Sequence, residues 1–512
     1  MKRFAFRAPS RPTWRLFLGT LLCSFLAKGA ALQQGFGLDD YGFALEETQA
    51  GVLFWQARIG GGLLVNLLQS LQFDPVHSQF VWSAAFITIW ALLGTLVARY
   101  WHLHREGWIA FAVATLVAIH PYGCDSLHMR SALSVAAPIL VAVALLLIPE
   151  RWTPRRLAGG TLLVAVAVSI NQLTLHYLLM VVLVSTAVGW GRTLAWASSR
   201  GWPSRARRLV RPGRIVRHKT TALVACALGG TAVYAAVAQL YISWRHLKLT
   251  QRTQLLPLAA AGERGRQVWR WLGSHLAGPE ALLTPIAKAL LLVALAVALL
   301  GLLRQLRWPS PGRSLAAALV VLAALGAALP GTLGLLLVLR EFWPAPRVIA
   351  PVAIFWAGVV ALAYLLHGEW VRRALAVLVS VVLVSFVGID NRVFSEQLRL
   401  NRRDALLANR IVMRLETAPG FSAASRLVMS GKPAQYTLPF LTQTYDTNVS
   451  ALRAEWSKRQ IVREISGYRL ATPSAVEVAA AAAYCAQAQP FPAPDSVVVQ
   501  DGLAIVCLGG SD

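Results

Sequence analysis

Charged side chains are scarce in this chain. Of its 512 residues, 14% are Asp, Glu, Lys or Arg and 56% are hydrophobic, whereas charged residues make up about 25% of an ordinary soluble protein. Mean hydropathy is +0.55. Apolar runs of roughly 17–22 residues recur, which is the length that crosses the ~30 Å hydrocarbon core of a bilayer as a helix. The sequence therefore excludes an ordinary soluble protein and predicts an α-helical polytopic membrane protein.

Cysteine is also sparse, and the motifs of several enzyme classes are missing. The five Cys residues show no CxxC spacing, which argues against a zinc or redox site. The sequence has no Walker A loop, no GxGxxG turn and no nucleophile elbow, so the classes that these motifs mark are disfavoured. We expect no cofactor.

Acidic residues are few, with 23 against 49 basic ones and a formal net charge of +26. Such an excess could indicate a nucleic-acid partner. However, the Arg residues are concentrated in short segments between apolar runs, where they set the topology and face anionic lipid. Residues 191–219 hold nine basic side chains and no acidic one. We therefore expect membrane lipids, and no nucleic acid, as partners.

The basic segments also give an orientation. Five basic residues and no acidic one precede the first apolar run, which in a bacterial inner membrane would place the N-terminus in the cytoplasm. Many further spans follow, so we expect the first run to be an uncleaved helix and not a signal peptide. Alternation then puts the C-terminal region in the periplasm, outside the inner membrane. The eleven predicted spans are Leu16–Leu32, Phe80–Ala98, Trp108–His120, Ser131–Ile148, Leu157–Ile170, Leu173–Trp190, Thr221–Leu240, Ala281–Leu303, Leu315–Leu339, Val348–Leu366 and Ala374–Ile389.

The composition changes after residue 389. Residues 390–512 have no apolar run of spanning length and mix charges of both signs. We expect a transmembrane domain over 1–389 and a small soluble α+β domain over 390–512. The segments predicted in the second domain are an amphipathic helix Asn391–Glu416, a helix around Ala479–Ala483, and strands Arg426–Ser430, Ser496–Val499 and Leu503–Leu508.

Cys485 and Cys507 are the only two Cys residues of this terminal domain. The predicted topology places the domain in an oxidising compartment, where disulfides persist. We therefore predict a Cys485–Cys507 disulfide that joins the Ala-rich helix to the last strand. Two buried free thiols are the alternative.

Two adjacent carboxylates, Asp39 and Asp40, lie on the first predicted outer loop, residues 33–79. Charged groups are costly at a membrane, and those kept there are usually functional. A turn or a helix N-cap, where Asp is favoured, is the alternative explanation. Farther along the loop, Ala50–Leu71 has an apolar face with a triple glycine, residues 60–62, in its middle. We predict an interfacial helix that breaks at these glycines.

Polar residues recur at two further outer turns. Asp125, His128 and Arg130 lie in one turn, but their spacing matches no metal-ligand motif, so we predict no metal there. A polar turn is the common explanation and substrate contact the alternative. Gln172 and His176 lie in an outer hairpin at one level of the membrane. They could hydrogen-bond neighbouring helices or contact a substrate.

Arg340 and Arg347 lie at an outer end, against the inward bias of basic residues, and Arg58 lies in the predicted interfacial helix. Their position favours contact with a phosphate, which guanidinium groups bind well. An ion pair with Glu341 or a snorkelling side chain is the alternative.

Two segments of the outer loop resemble a known family. Residues 37–45 read GLDDYGFAL and residues 55–64 read WQARIGGGLL, an order and spacing similar to the GtrII-type bacterial glucosyltransferases. The chain departs from the family at Phe43, where members tend to carry Arg, and at Ala57, where Gly is usual. The agreement extends to the hairpin Ser169–Gln172, to Pro346-Arg347, to a post-membrane helix with Asn391 and Asp404, and to the ending over residues 468–508.

The resemblance implies a GT-C-like membrane fold for residues 1–389. It also implies transfer of a sugar, expected to be glucose, from an undecaprenyl-phosphate-linked donor to a periplasmic acceptor such as O-antigen or another surface polysaccharide. One of Asp39 and Asp40 would then be the general base and the other would support it. Arg347 would contact the donor phosphate, with Arg58 and Arg340 as weaker candidates, and Tyr41 could contact the substrate. A donor synthase and a flippase could be further partners.

A polytopic transporter or flippase of a lipid-linked saccharide is the competing function. Transporters commonly show internal repeats and helices interrupted at mid-membrane. No clear repeat is visible in this sequence, and its polar residues lie at the outer ends of the predicted spans. We therefore favour the glycosyltransferase.

Overall fold

The structure is mostly helical, as the composition predicts. It is a computed structural model, and it describes residues 11–33, 35–44, 49–73, 76, 78–104, 106–128, 153–197, 203–247, 250, 254–306, 311–423, 425–433 and 442–509. Within these ranges, nine helices are long and apolar enough to cross a membrane. Of the two other predicted spans, Ser131–Ile148 lies outside the described residues, and Leu157–Ile170 belongs to a 17-residue helix.

The helices of the apolar part are numbered in chain order. They are α1 (Arg11–Lys28), α2 (Leu38–Ala44), α3 (Gln49–Trp55), α4 (Ile59–Ser70), α5 (Gln79–Tyr100), α6 (Trp108–Ile119), α7 (Cys124–His128), α8 (Pro154–Ile170), α9 (Leu173–Ala197), α10 (Pro203–Arg245), α11 (Ala261–Leu276), α12 (Pro285–Gln305), α13 (Pro311–Gly331), α14 (Pro346–Ile349), α15 (Val352–Leu366) and α16 (Glu369–Glu416).

Local sequence explains several helix starts. Helices α8 and α12 begin at a proline, whose fixed φ suits the first helical position and whose missing N–H is not needed there. Thr284 caps α12 by accepting a hydrogen bond from Ala287 N–H at 3.2 Å. Helices α6 and α15 are apolar on all sides, and they are largely buried in the centre of the bundle, as such helices usually are.

The segment predicted as a broken interfacial helix, residues 50–71, folds as two helices, α3 and α4. The break between them does not lie at the predicted position. Helix α3 ends at Trp55 and α4 begins at Ile59, so the chain turns before the triple glycine, at Ala57 with φ +57°. The glycines lie in the first turn of α4, where they permit close packing. A Cβ at Gly62 would lie 2.6 Å from the ring of Phe54.

Two helices extend past the boundaries that hydropathy indicates. The basic segment 191–219, expected as a loop, is largely helical, because α9 continues to Ala197 and α10 begins at Pro203. Helix α16 runs for 48 residues through the expected domain boundary at 389/390. Arg and Leu favour helix as much in water as in a membrane, so a helix can continue where the apolar run ends.

The C-terminal part is a small α+β unit, as predicted. Its elements are β1 (Arg426–Ser430), α17 (Glu455–Ser466), α18 (Ala475–Cys485), β2 (Val497–Gln500) and β3 (Leu503–Cys507). The sheet has the order β1-β3-β2, with β1 parallel and β2 antiparallel to β3. Cys485 and Cys507 form the expected disulfide, with Cα atoms 5.2 Å apart, and it joins α18 to β3.

Candidate functional site

Helix α2 carries both carboxylates of the Asp pair, and their surroundings differ. Gly37 precedes the helix, and Asp40 at the third helical position accepts a hydrogen bond from Gly37 N–H at 3.1 Å. This contact is half of a capping box. Asp40 is fully buried, whereas Asp39 is partly exposed. Asp40 therefore stabilises the helix start, and Asp39 is the carboxylate that a substrate could reach.

The loop in front of α2 is fixed by hydrogen bonds to two long helices. Gly35 N–H donates to the Gln79 side chain of α5 at 3.0 Å. From α16, Gln397 and Asn401 donate to the carbonyl of Phe36 at 2.9 and 3.0 Å, and Asn401 accepts from Phe36 N–H at 3.0 Å. These contacts hold the start of α2 to the long helix that leads into the C-terminal unit.

Gly37 lies against the end of α7. A Cβ at this position would lie 1.7 Å from the backbone oxygen of His128, so only glycine permits this approach of two backbones. The His128 side chain is buried and packs on Phe394 with ring centroids 4.9 Å apart. His128, one of the predicted substrate contacts, thus forms part of the packed wall behind α2. Arg130 lies outside the described residues.

Arg347, at the start of α14, holds two carboxylates together. Its backbone N–H and its NH1 group both donate to Asp125 Oδ2 at 3.0 Å. Its NH2 group donates to Asp446 Oδ2 at 2.8 Å. Asp125 is fully buried, whereas 14% of the Asp446 side chain is exposed. The carboxylate partners of Arg347 are thus Asp125 and Asp446. The ion pair with Glu341, considered from the sequence as an alternative to phosphate contact, is not the one that Arg347 forms.

Asp39 lies within electrostatic range of this ion pair. Its charge acts on the Arg347 guanidinium together with those of Asp125 and Asp446. Helix α2, helix α7, the start of α14 and the segment that carries Asp446 therefore converge at one place. We call Asp39, Asp125, Arg347 and Asp446 the outer charge cluster, after the outer side on which the sequence predicts these residues.

The segment 442–450 supplies the fourth member of this cluster. Thr447 donates its hydroxyl to Asp125 Oδ1 at 2.7 Å. Glu396 of α16 holds the segment by accepting from Thr442 N–H at 2.6 Å and from the Asn448 amide at 3.3 Å. Sequence reasoning missed Asp446, Thr447 and Glu396, since the segment has no periodic pattern and its partners are distant in the chain.

Tyr41 was predicted as a substrate contact, but it is buried in the core of the C-terminal unit. Its ring lies 5.0 Å from that of Phe36 and packs among residues such as Ile411 and Leu415. Burial, followed by the carboxylates of Asp404 and others, raises the pKa of its phenol. Tyr41 thus anchors α2 on the C-terminal unit, which fixes the position of Asp39.

Arg58 and Gln172 form a structural corner. Arg58 Nε donates to Gln172 Oε1 at 3.2 Å, and the Gln172 amide donates to Gln56 O and to Tyr234 Oη at 2.9 Å each. Tyr234 in turn donates to the carbonyl of Ala57. These hydrogen bonds join the turn between α3 and α4 to the α8–α9 hairpin and to α10. Gln172 thus bonds neighbouring helices, which is one of the two roles considered for it from the sequence.

His176 has the same kind of role. Its Nε2 accepts from Leu335 N–H at 2.9 Å, and its Nδ1 lies 3.3 Å from the carbonyl of Val348. Because Nε2 accepts, Nδ1 carries the proton and donates to Val348. The imidazole is buried and links two connecting segments. Arg340 is exposed and donates to Gln254 Oε1 at 3.1 Å.

A second polar cluster, not predicted from the sequence, joins the α6–α7 turn to the end of α11. Tyr122 donates its hydroxyl to Glu280 Oε2 at 2.7 Å. His275 Nδ1 lies 3.2 Å from Glu280 Oε1 and 3.2 Å from the Tyr122 hydroxyl. His275 stacks on Trp271 with ring centroids 5.1 Å apart. Glu280 is therefore held rigidly by two partners.

The outer charge cluster can supply a carboxylate base. Asp39 is partly exposed and lies at the second position of α2. Arg347 would orient Asp125 and Asp446 around it. Among the described residues, no group of three His, Cys, Asp or Glu side chains is arranged to hold a metal ion.

Comparison with known proteins gives no relative for the chain. No protein-family model matches it, and no curated protein or solved structure is significantly similar to it. The resemblance to the GtrII-type family thus stays a prediction from short motifs.

Proposed function

We propose that the protein is a membrane glycosyltransferase with Asp39 as its general base. In this reaction a hydroxyl of the acceptor saccharide attacks the anomeric carbon of a sugar held on a polyprenyl phosphate. The new carbon–oxygen bond forms as the bond to the phosphate breaks, and the hydroxyl proton passes to Asp39. The polyprenyl phosphate leaves with the electron pair. The donor sugar is proposed to be glucose and the acceptor a surface polysaccharide.

The observation that supports this proposal is the division of roles within the Asp pair. Asp40 is buried and caps α2, while Asp39 is partly exposed beside Arg347. The contacts in front of α2 and the anchoring of Tyr41 keep Asp39 in place, as general-base catalysis requires.

The role of Arg347 follows from its partners. Both of its carboxylate contacts are charge-assisted, and one of them is buried. The Arg347 side chain is 11% exposed, and a donor phosphate at the guanidinium would lie beside the carboxylates of Asp125 and Asp446 and be repelled by them. We therefore assign Arg347 to positioning the carboxylates of the outer charge cluster, and phosphate contact by Arg347, Arg58 or Arg340 stays a prediction.

We further propose the orientation in which α2 faces the periplasm of a bacterial inner membrane. The basic N-terminal residues and the basic segment 191–219 would then face the cytoplasm. The C-terminal unit would lie in the periplasm, where its disulfide persists.

The test compares Asp39→Asn with Asp40→Asn in protein reconstituted into liposomes with a polyprenyl-phosphate glucose donor. Asp39→Asn should lower kcat about 10²–10⁴-fold, the usual contribution of a general base. Asp40→Asn keeps an oxygen that can accept from Gly37 N–H, so most activity should remain. Near-full transfer by Asp39→Asn would refute the assignment. Translocation of the donor across the bilayer without sugar transfer would support the flippase instead. Mass spectrometry of the surface polysaccharide with and without the gene identifies the acceptor.

A further inference from the structure

Two aromatic side chains lie beside the outer charge cluster. Tyr445 precedes Asp446, and Trp343 lies four residues before Arg347. Their rings contact edge to face, with centroids 5.0 Å apart and planes at 71°. Tyr445 is 42% exposed, and its backbone is left-handed, with φ +47°. The Tyr445 ring therefore packs with one side on Trp343 and leaves a large part of its surface exposed to solvent.

Glu280 faces the same region with its carboxylate fixed. Tyr122 and His275 each contact one of its oxygens, at 2.7 and 3.2 Å, and 16% of its side chain is exposed. A carboxylate oxygen can accept about two hydrogen bonds, so Glu280 retains acceptor capacity for a ligand. Its side chain needs little further ordering when it binds one, since two partners already fix it.

Tyr445 and Glu280 are neighbours. The Glu280 carboxylate acts electrostatically on Tyr445 and, with burial as the larger cause, raises the pKa of its phenol. Tyr445 and Glu280 also both act on Tyr122. Glu280 is bonded to Tyr122, three residues before Asp125, and Arg347 pairs with both Asp125 and Asp446. These contacts place Glu280 and Asp446 in one surface region with the Trp343–Tyr445 pair.

The charge of this surface selects the kind of ligand. Arg347 and Lys288, which lies near Glu280, contribute two positive charges. Asp39, Asp125, Asp446 and Glu280 contribute four negative ones. A phosphate would be repelled by this balance. A sugar ring is neutral, its C–H face packs on an aromatic ring, and its hydroxyl groups donate to carboxylates. Aromatic rings with a few fixed polar groups are the usual composition of a small-ligand site.

We propose that Tyr445, Trp343 and Glu280 form the subsite for the acceptor saccharide. The subsite rests on the proposed transfer for the identity of its ligand, and it places the acceptor next to Asp39. The sugar packs on Tyr445, whose orientation Trp343 supports. Glu280 and Asp446 accept its hydroxyl groups, so that one further hydroxyl can approach the base. The phosphate of the donor binds outside this subsite, with the donor sugar close enough for that hydroxyl to attack its anomeric carbon.

The test measures binding directly, by saturation-transfer NMR titration of the full-length protein in nanodiscs. The probes are methyl α-glycosides of glucose, galactose, mannose and rhamnose, with undecaprenyl phosphate as an anionic competitor. Loss of one aromatic contact should weaken binding of the preferred glycoside about tenfold in Tyr445→Ala. Tyr445→Phe keeps the ring and should bind as the unaltered protein does. Glu280→Gln should also weaken binding, since the amide accepts less strongly.

The matched control is Trp456→Ala, which removes an aromatic side chain that is 58% exposed elsewhere in the C-terminal unit, and it should leave binding unchanged. The subsite is refuted if no glycoside binds, if Tyr445→Ala binds every glycoside like the unaltered protein, or if undecaprenyl phosphate displaces the glycoside. If binding depends on Tyr445 but the unaltered protein transfers no sugar, the subsite stands and the transferase proposal fails. If transfer depends on Asp39 but Tyr445→Ala does not change binding, the transferase proposal stands and the subsite fails.

Discussion

Replacing Lys28 alone should destabilise the protein far more than replacing Lys28 and Asp390 together. Lys28 ends α1 and Asp390 lies in the middle of α16, and their side chains form a fully buried ion pair with Nζ 2.6 Å from Oδ2. Lys28 also donates to the carbonyl of His120 at 3.3 Å, and the Cys124 thiol donates to Asp390 Oδ1 at 3.1 Å. The pair thus joins α1, the α6–α7 turn and α16 just before the loop that leads to Asp39.

The size of the effect follows from this burial. Lys28→Met keeps most of the side-chain volume but leaves the Asp390 carboxylate buried without a cation, which costs about 3–5 kcal/mol. Asp390→Leu strands the ammonium group at a similar cost, so the two single changes would sum to about 6–10 kcal/mol. In the double variant both charges are gone. Only the His120 carbonyl and the Cys124 thiol lose a partner, at about 1–3 kcal/mol.

The free energy of unfolding can be measured by denaturant titration of the purified protein in mixed micelles, with Trp fluorescence as the signal. The matched control is Arg373→Met, which breaks the exposed pair between Arg373 and Glu369 at 3.3 Å and should cost at most about 0.5 kcal/mol. The reasoning is wrong if the double variant loses the sum of the two single losses, or if Lys28→Met is as mild as the control.

Two further predictions concern the site and the topology. Gly37→Ala should lower sugar transfer about 10²-fold, because its Cβ would displace α2, and with it Asp39, from the His128 backbone. Gly51→Ala, where a Cβ meets nothing within 4 Å, is the control. Equal activity of the two variants would contradict the prediction. Cys485 and Cys507 should react with an impermeant thiol reagent on intact spheroplasts only after reduction; labelling without reductant would contradict a persistent disulfide, and labelling only after lysis would contradict the periplasmic location.

Features with a local signal were predicted well. Strand β1 has the predicted bounds, and β3 begins at the predicted Leu503. Hydropathy correctly located the apolar helices, because each membrane-spanning segment must be apolar over its own length and can be recognised without knowledge of its partners. It misplaced the ends of α9, α10 and α16, since hydropathy reports where a helix leaves the apolar layer and not where the helix stops.

Features that depend on packing between distant segments could not be predicted. Lys28 pairs with Asp390 across 362 positions, and Thr447 bonds Asp125 across 322. Sequence reasoning found Asp125 and Arg347 separately, as polar residues at outer ends, but nothing in a periodic pattern says that they pair. For the same reason the sequence could not decide whether Gln172 and His176 bond neighbouring helices or contact a substrate, because only their spatial partners decide this.

The two predicted domains share the candidate site, and this changes how the C-terminal unit should be regarded. Asp39 stands on α2, which is held by Tyr41 in the core of the C-terminal unit and by Gln397 and Asn401 of α16 at its start. Asp446 comes from the segment that follows β1 and reaches back to Arg347. A soluble domain that merely followed the membrane part would need none of these contacts. Helix α16 continues through the boundary as one helix, and α2 contacts both α16 and the C-terminal unit, so the position of this unit sets the geometry around Asp39. Removing it would expose Tyr41 and leave Arg347 with one carboxylate partner, so the candidate site exists only where both parts of the chain meet.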